Sequence, residues 1–159
     1  MISKKTDWAC ALTFLETELC AFETLYGALK SQAAALRLFN IANLEDSQLG
    51  LESAIAHTEN VVFERVKWQQ EHIGRSIAPT WQAVMDIAPT SIKSAHEDNV
   101  NRLRTLGQHV REALGQNQRY ASAAKEMLGA LKQVESKVIS EKTDLYTSRG
   151  RCTGQFSLI

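Results

Sequence analysis

The sequence is poor in the residues that interrupt helices. Its 159 residues include only two prolines, Pro79 and Pro89, and eight glycines, whereas alanine, leucine, glutamate, lysine and glutamine are abundant. Because the abundant residues have high helix propensity and proline is the strongest helix breaker, this composition predicts an all-α chain. At this length we expect one principal domain with a hydrophobic core of modest size.

A surplus of charge is also missing, since 18 basic residues balance 18 acidic ones. Proteins that bind polyanions usually carry a basic surplus, so this balance argues against nucleic acid as the main partner. No apolar run approaches the roughly 20 residues that a membrane span needs. The N-terminal stretch WACALTFL is followed at once by Glu16 and Glu18 and keeps its helical spacing, which favours mature protein over a signal peptide.

The chain lacks the spacings that hold metals, cofactors or nucleophiles. Cys10 and Cys20 lie roughly 15 Å apart on one predicted helix, too far for a disulfide, and an odd cysteine count fits a reducing compartment. The four histidines form no Glu-x-x-His pair, the cysteines lack zinc spacing, and no phosphate-binding loop occurs. We therefore expect no metal, no cofactor and no catalytic residue, in a cytoplasmic protein without stable membrane insertion.

What the sequence does contain is long apolar stripes at helical spacing. The first predicted helix alternates steps of four and three through Trp8, Leu12, Leu15, Leu19, Phe22, Tyr26, Leu29, Ala33 and Leu36. A second helix is predicted to begin at Asn43 and to end near Gly74, with Pro79 as a stop. Its stripe is weaker, because Gln48, Thr58 and Gln69 fall on it.

The two prolines leave room between them for one short helix, in which we expect Trp81, Val84 and Ile87 to face inward. The last helix begins near Thr90 and carries the longest stripe, through Ile92, His96, Val100, Leu103, Leu106, Val110, Leu114, Asn117, Ala121, Ala124, Leu128, Leu131, Val134 and Val138. Helices of roughly 30 to 45 residues are about 45–65 Å long. The sequence therefore predicts an elongated antiparallel bundle or coiled coil of two to three long helices plus a short central helix.

Two features of the last helix have alternative interpretations. Asn117 on the stripe either fixes helix register or lies near the bundle end where water reaches it, and we favour the second. The basic residues Arg102, Arg104, Arg111 and Arg119 form either a nucleic-acid face or a solvated face. We favour the solvated face, with ion-pair partners on the second helix such as Glu45, Asp46, Glu52 and Glu59.

The chain ends in a different kind of sequence, DLYTSRGRCTGQFSLI, which sets a predicted boundary between a helical domain of residues 1–143 and a tail of residues 144–159. A merely solubilising tail would be polar, but this one carries Leu145, Tyr146, Phe156, Leu158 and Ile159. We expect an irregular, mobile segment that recognises a partner by ordering against it.

Long antiparallel helices followed by an LY-x-x-x-G motif resemble the FlgN family of flagellar export chaperones. The motif is matched at Leu145, Tyr146, Arg149, Gly150 and Arg151, and the resemblance extends to the length, the helix layout and the LGQHVREAL…QRY stretch. The sequence departs from the family at Gly107 and Val110, where members often have asparagine.

The resemblance implies a non-enzymatic chaperone that binds hook-associated flagellar proteins and delivers them to the export gate. The tail tyrosine, Tyr146, is then the candidate for docking on the gate. The candidate client-helix face is Val110, Leu114, Leu128, Leu131 and Val134, shared between core and client. The alternatives are a coiled-coil adaptor or structural homo-oligomer and a helical nucleic-acid-binding protein. The exposed stripes suit either a homodimer or a monomer ready for its client.

Overall fold

Four helices make up the described part of the chain. The computed structural model describes the backbone of residues 8–152 and the side chains of residues 8–140. The helices are α1 (Trp8–Leu38), α2 (Ile41–His72), α3 (Trp81–Ile87) and α4 (Thr90–Cys152). This confirms the predicted all-α class, with three long helices and a short one between the two prolines.

The chain divides into two compact units, residues 1–118 and residues 119–159. We call the first the bundle unit, which contains α1, α2, α3 and the N-terminal part of α4, and the second the C-terminal unit. This division falls earlier than the boundary that the sequence predicts between residues 143 and 144.

The predicted irregular tail is wrong over residues 144–152, because α4 continues as a helix to Cys152. Extending an existing helix requires no new nucleation step. The single glycine in this stretch, Gly150, costs only about 1 kcal/mol relative to alanine. The end of the predicted tail, with Phe156, Leu158 and Ile159, lies outside the described residues.

Cross-helix hydrogen bonds show the helix directions in the bundle unit. Between α1 and α2, Gln32 pairs with Gln48 and Glu18 pairs with Arg65, so the two helices are antiparallel. Between α1 and α4, Glu23 pairs with Arg102 and Leu29 pairs with Asn117, so these two are parallel. The three long helices therefore run up, down and up.

The connection between α1 and α2 is a Schellman turn of minimal length. Phe39 adopts a left-handed conformation with φ of 48°, its N–H donates to the Leu36 carbonyl, and the Asn40 N–H donates to the Ala35 carbonyl. Asn40 then caps α2, because its side chain accepts a hydrogen bond of 3.1 Å from the Asn43 N–H. The predicted start of α2 at Asn43 is therefore wrong by about one turn, since Asn40 and not Asn43 supplies the capping oxygen.

The segment from the end of α2 through α3 has the helix ends and the buried residues that the sequence predicts, except at Ile87. Gly74 adopts a φ of 142°, where a Cβ would be strained, directly after α2 ends. Thr80 caps α3 by accepting from the Ala83 N–H. Trp81 and Val84 are buried as predicted, but Ile87 is 40% exposed and Met85 is buried instead. Met85 lies four residues after Trp81 and therefore on nearly the same face, whereas Ile87 lies six residues after Trp81 and about 120° around the helix.

Two apolar clusters form the core of the bundle unit. The first joins α1, α3 and α4 through Leu15, Leu19, Trp81, Val84, Met85, Val100 and Leu103. The second joins α1, α2 and α4 through Leu25, Leu29, Leu51, Ala54 and Val110. Most of these residues lie on the stripes that the sequence shows, so helical spacing alone locates much of the core.

Between α1, α2 and α3 lies a buried ion pair that the sequence reasoning did not predict. Glu18 and Arg65 are both about 95% buried, with 3.1 Å between Glu18 Oε2 and Arg65 Nε. The same Glu18 oxygen accepts a hydrogen bond of 2.9 Å from the Trp81 indole N–H. The Arg65 guanidinium also lies over the Trp81 ring, 5.5 Å from its centroid.

The same network holds the segment that leads into α3. Arg65 Nη1 donates to the Pro79 carbonyl at 2.9 Å, and Gln69 Nε2 donates to the Ala78 carbonyl at 2.7 Å. Arg65 Nη1 also donates to Gln69 Oε1 at 3.3 Å. Gln69 interrupts the apolar stripe of α2 in the sequence. In the fold its side chain is buried, and both its amide oxygen and its amide nitrogen form hydrogen bonds.

We expect Arg65→Met to lower the free energy of unfolding by about 3–5 kcal/mol, because it leaves the Glu18 carboxylate buried without its counter-charge. Urea denaturation followed by circular dichroism measures this loss. The matched control is Arg102→Met, which removes an ion pair of the same 3.1 Å length whose side chains are more than half exposed. The control should change stability by no more than about 1 kcal/mol. Equal losses for the two variants would contradict a special role for the buried pair.

Candidate interaction surface

The described residues do not gather the ligands of a metal site. No group of three or more histidine, cysteine, aspartate or glutamate side chains that could hold a metal ion occurs among them. Cys20 is exposed and Cys10 partly buried, each within α1. None of the helices in this part of the chain combines the length and the apolar character needed to cross a membrane.

Two arginines of α4 in the bundle unit contact neighbouring helices. Arg102 forms an exposed ion pair with Glu23 of α1, and Arg104 donates to Gln82 of α3 at 2.9 Å. The sequence predicts acidic partners on α2, but the partner observed is on α1, which runs alongside α4. These contacts hold Arg102 and Arg104 against the bundle, in keeping with a solvated face that pairs with other helices.

Asn117 is buried, so the interpretation that water reaches it at the bundle end is wrong. Its Nδ2 donates to the Leu29 carbonyl and to Gln32 Oε1, both at 2.9 Å. Gln32 in turn donates to Gln48 of α2 at 2.7 Å. The apolar spacing of α4 shows that Asn117 faces another helix, but it does not show where that helix ends. In the structure α1 continues nine residues beyond Leu29, so Asn117 does not lie at the end of the bundle.

The predicted client-helix face separates into two groups. Val110 is only 6% exposed and belongs to the second apolar cluster, so within the set that the sequence leaves shared between core and client it is a core residue. The reason is that α1 and α2 supply partner side chains at this level of α4. Leu114 is at the border, 37% exposed. Leu128, Leu131 and Val134, in the C-terminal unit, are all more than half exposed.

These last three residues belong to a longer exposed stripe within the C-terminal unit. Six large apolar residues of α4 in this unit have exposures between 44% and 58%, and we define the C-terminal stripe as five of them that follow one another along the helix face, namely Met127, Leu128, Leu131, Val134 and Val138; the sixth, Ile139, lies beside the stripe. Steps of three and four residues place them on one face of the helix. From Met127 to Val138 the stripe is about 17 Å long at 1.5 Å per residue. Such a contiguous exposed apolar surface is typical of an interaction site.

The candidate tail residues fall at the edge of the described part of the chain. Leu145, Tyr146, Arg149, Gly150 and Arg151 have a helical backbone as part of α4, whereas their side chains lie outside the described residues. The helical backbone places Leu145 seven residues after Val138, which is the repeat that returns a residue to nearly the same helix face.

Sequence reasoning missed other exposed apolar residues. Met127 belongs to the C-terminal stripe. The apolar spacing predicted from the sequence omits it, because that spacing steps four residues from Ala124 directly to Leu128. In the bundle unit, Leu38, Phe39 and Ile41 at the α1–α2 turn are each more than half exposed. Leu36 and Leu38 gave a signal, since two helical residues that are two positions apart point to nearly opposite sides and cannot both face one core.

Truncation should distinguish core positions of α4 from surface positions. We expect Leu103→Ala to lower the free energy of unfolding by about 2–5 kcal/mol, because Leu103 is buried in the first cluster. Leu131→Ala removes the same atoms from the same helix at a position 55% exposed. It should change stability by no more than about 0.5 kcal/mol. Thermal and urea unfolding measure both, and a large loss for Leu131→Ala would show that this residue belongs to a core.

Comparison with known proteins identifies no relative of this chain. No protein-family model, no curated protein and no solved structure matches it. The likeness to the FlgN family therefore depends on the residues already named.

Proposed function

We propose that the protein is a cytoplasmic flagellar export chaperone of the FlgN type. In this proposal it binds the helical termini of hook-associated proteins and delivers them to the export gate. It acts without a cofactor and without catalysis. The observation that carries the proposal is the C-terminal stripe, in which five large apolar side chains lie exposed on one face of a helix.

The stripe supports a chaperone because of what an unassembled client presents. An amphipathic helix that has not yet joined its filament exposes an apolar face, which tends to aggregate. A second helix with an apolar stripe at matching spacing can cover that face through contacts at positions i, i+3, i+4 and i+7. Leu131, Val134 and Val138 occupy positions i, i+3 and i+7 of this pattern, and Glu135 occupies position i+4.

The energy needed for such a complex is within reach of the stripe. Burying a leucine, valine or methionine side chain contributes about 1.5–3 kcal/mol relative to full exposure. The five stripe residues keep about half of their surface exposed, so roughly half of that gain per residue is available to a partner. Association costs several kcal/mol in lost freedom, which favours a moderate affinity suited to later release.

The proposal is tested by titrating the full chain with the helical terminal regions of hook-associated proteins and measuring binding by calorimetry. We expect a complex that is lost in the variant Leu131→Gln/Val134→Gln, because glutamine removes the apolar contact and keeps the helix. The matched control is Lys93→Gln/Gln118→Ala, which alters two positions of α4 in the bundle unit and should bind as the native chain does.

The rival functions give different results in the same experiment. A structural homo-oligomer uses the stripe on copies of itself, so light scattering would show an assembly that Leu131→Gln/Val134→Gln dissociates, and no client complex. A nucleic-acid-binding protein would instead bind RNA or DNA with an affinity that falls steeply with salt. Either result without client binding would overturn the chaperone proposal.

For the tail we expect Tyr146→Ala to leave the melting temperature unchanged while weakening binding to the cytosolic part of the export gate. The resemblance implies that this tyrosine docks on the gate and not in the core. Scanning calorimetry and a pull-down with purified gate protein measure the two effects. Tyr120→Ala serves as a comparison, since this tyrosine of α4 is half-buried. A large drop in melting temperature for Tyr146→Ala would show a core role.

A further inference from the structure

Basic residues border the C-terminal stripe on both sides. Between residues 119 and 140 the sequence contains four basic and two acidic residues, a net charge of +2 in a chain that is neutral overall. Lys125 and Lys132, seven residues apart, lie along the edge beside Leu128. Lys137 lies along the opposite edge, three residues after Val134. All three lysines are exposed.

The two acidic residues of this region offset the basic borders only in part. Glu126 lies eleven residues, or about three turns, before Lys137, so it shares the border of Lys137 at the other end of the stripe. Glu135 lies four residues after Leu131, so it falls within the stripe and not at its edge. The borders that a neighbouring helix would meet therefore carry three lysines and one glutamate, and a second glutamate lies between them.

We infer that the C-terminal stripe selects an amphipathic helix whose own apolar stripe is bordered by acidic residues, and that it rejects one bordered by basic residues. The inference rests on the proposed function, and it names the class of helix that is bound. In paired helices the residues that flank the apolar seam approach one another and set partner choice through their charges. Lysine stems extend along apolar surface and carry their ammonium groups to such flanking carboxylates.

The same charges disfavour a second copy of the chain as the occupant. Two stripes facing each other would bring together borders that both carry a net positive charge, and like charges in contact lower the affinity of an interface. A partner helix with glutamate or aspartate at its flanks meets all three lysines favourably. A lysine or arginine within its apolar stripe would in addition meet Glu135.

Two synthetic helical peptides test the inference with the full chain. They share one apolar stripe and one outer face, and they carry either glutamate or lysine at the flanking positions. Fluorescence anisotropy of the labelled peptides measures their affinities. At low salt we expect the glutamate-bordered peptide to bind at least about tenfold more tightly, and the difference to shrink at high salt because exposed charges are screened.

Charge reversal provides the second arm. The variant Lys125→Glu/Lys132→Glu/Lys137→Glu should reverse the preference between the two peptides. The matched control, Lys67→Glu/Arg75→Glu/Arg111→Glu, changes the net charge by the same amount at exposed positions of the bundle unit and should keep the native preference. Circular dichroism shows whether each variant keeps its helix content.

Each outcome either supports or overturns the inference. Equal binding of the two peptides, with Leu131→Gln abolishing both, would overturn charge selection and leave helix docking on the stripe intact. Reversal by the control variant as well would show an effect of net charge and would also overturn it. If neither peptide binds, or if the stripe is occupied by a second copy in solution, the inference fails together with the proposed function.

Discussion

The bundle unit depends on one buried interaction, the ion pair between Glu18 and Arg65 with the Trp81 indole beside it. Removing two charges from water is costly, and their attraction repays this only when the geometry is good and the remaining hydrogen-bonding groups are satisfied. Here the carboxylate accepts from both the guanidinium and the indole, and Arg65 also donates to the Pro79 carbonyl. These contacts join α1, α2 and the segment that leads into α3, so displacing any one of these elements would leave a buried polar group unpaired, which disfavours alternative packings of the apolar stripes.

α4 presents the same repeat in two different environments. In the bundle unit its stripe residues Val100, Leu103 and Val110 are buried against other helices. In the C-terminal unit the residues with equivalent spacing are about half exposed. Nothing in the spacing separates the two groups, because spacing reports which face of a helix is apolar and not what covers that face. The difference between core and binding surface comes from the tertiary structure.

This distinction explains which features could be predicted from the sequence. The number and order of the helices, the turn at Gly74 and the burial of Trp81 and Val84 follow from local chemistry and periodicity, and they were predicted correctly. The burial of Asn117 and Val110 depends on how far α1 extends, which the sequence of α4 does not contain. In the sequence Glu18 only marks the end of an N-terminal apolar run, because its partner Arg65 is 47 residues away. The apolar spacing of the C-terminal stripe could be seen in the sequence. The charges at its borders could be interpreted only after the structure showed that the stripe is exposed.

The way in which the segment before α3 is held has a consequence for sequence variation. The side chains of Arg65 and Gln69 bind this segment at the backbone carbonyl oxygens of Pro79 and Ala78, and not at the side chains of those two residues. Every amino acid has a carbonyl, so the anchors on α2 impose a path on the backbone and little restriction on which residues follow it. Related chains could therefore diverge freely between Arg75 and Ala78 and keep the same fold, provided that they retain Glu18, Arg65 and Gln69.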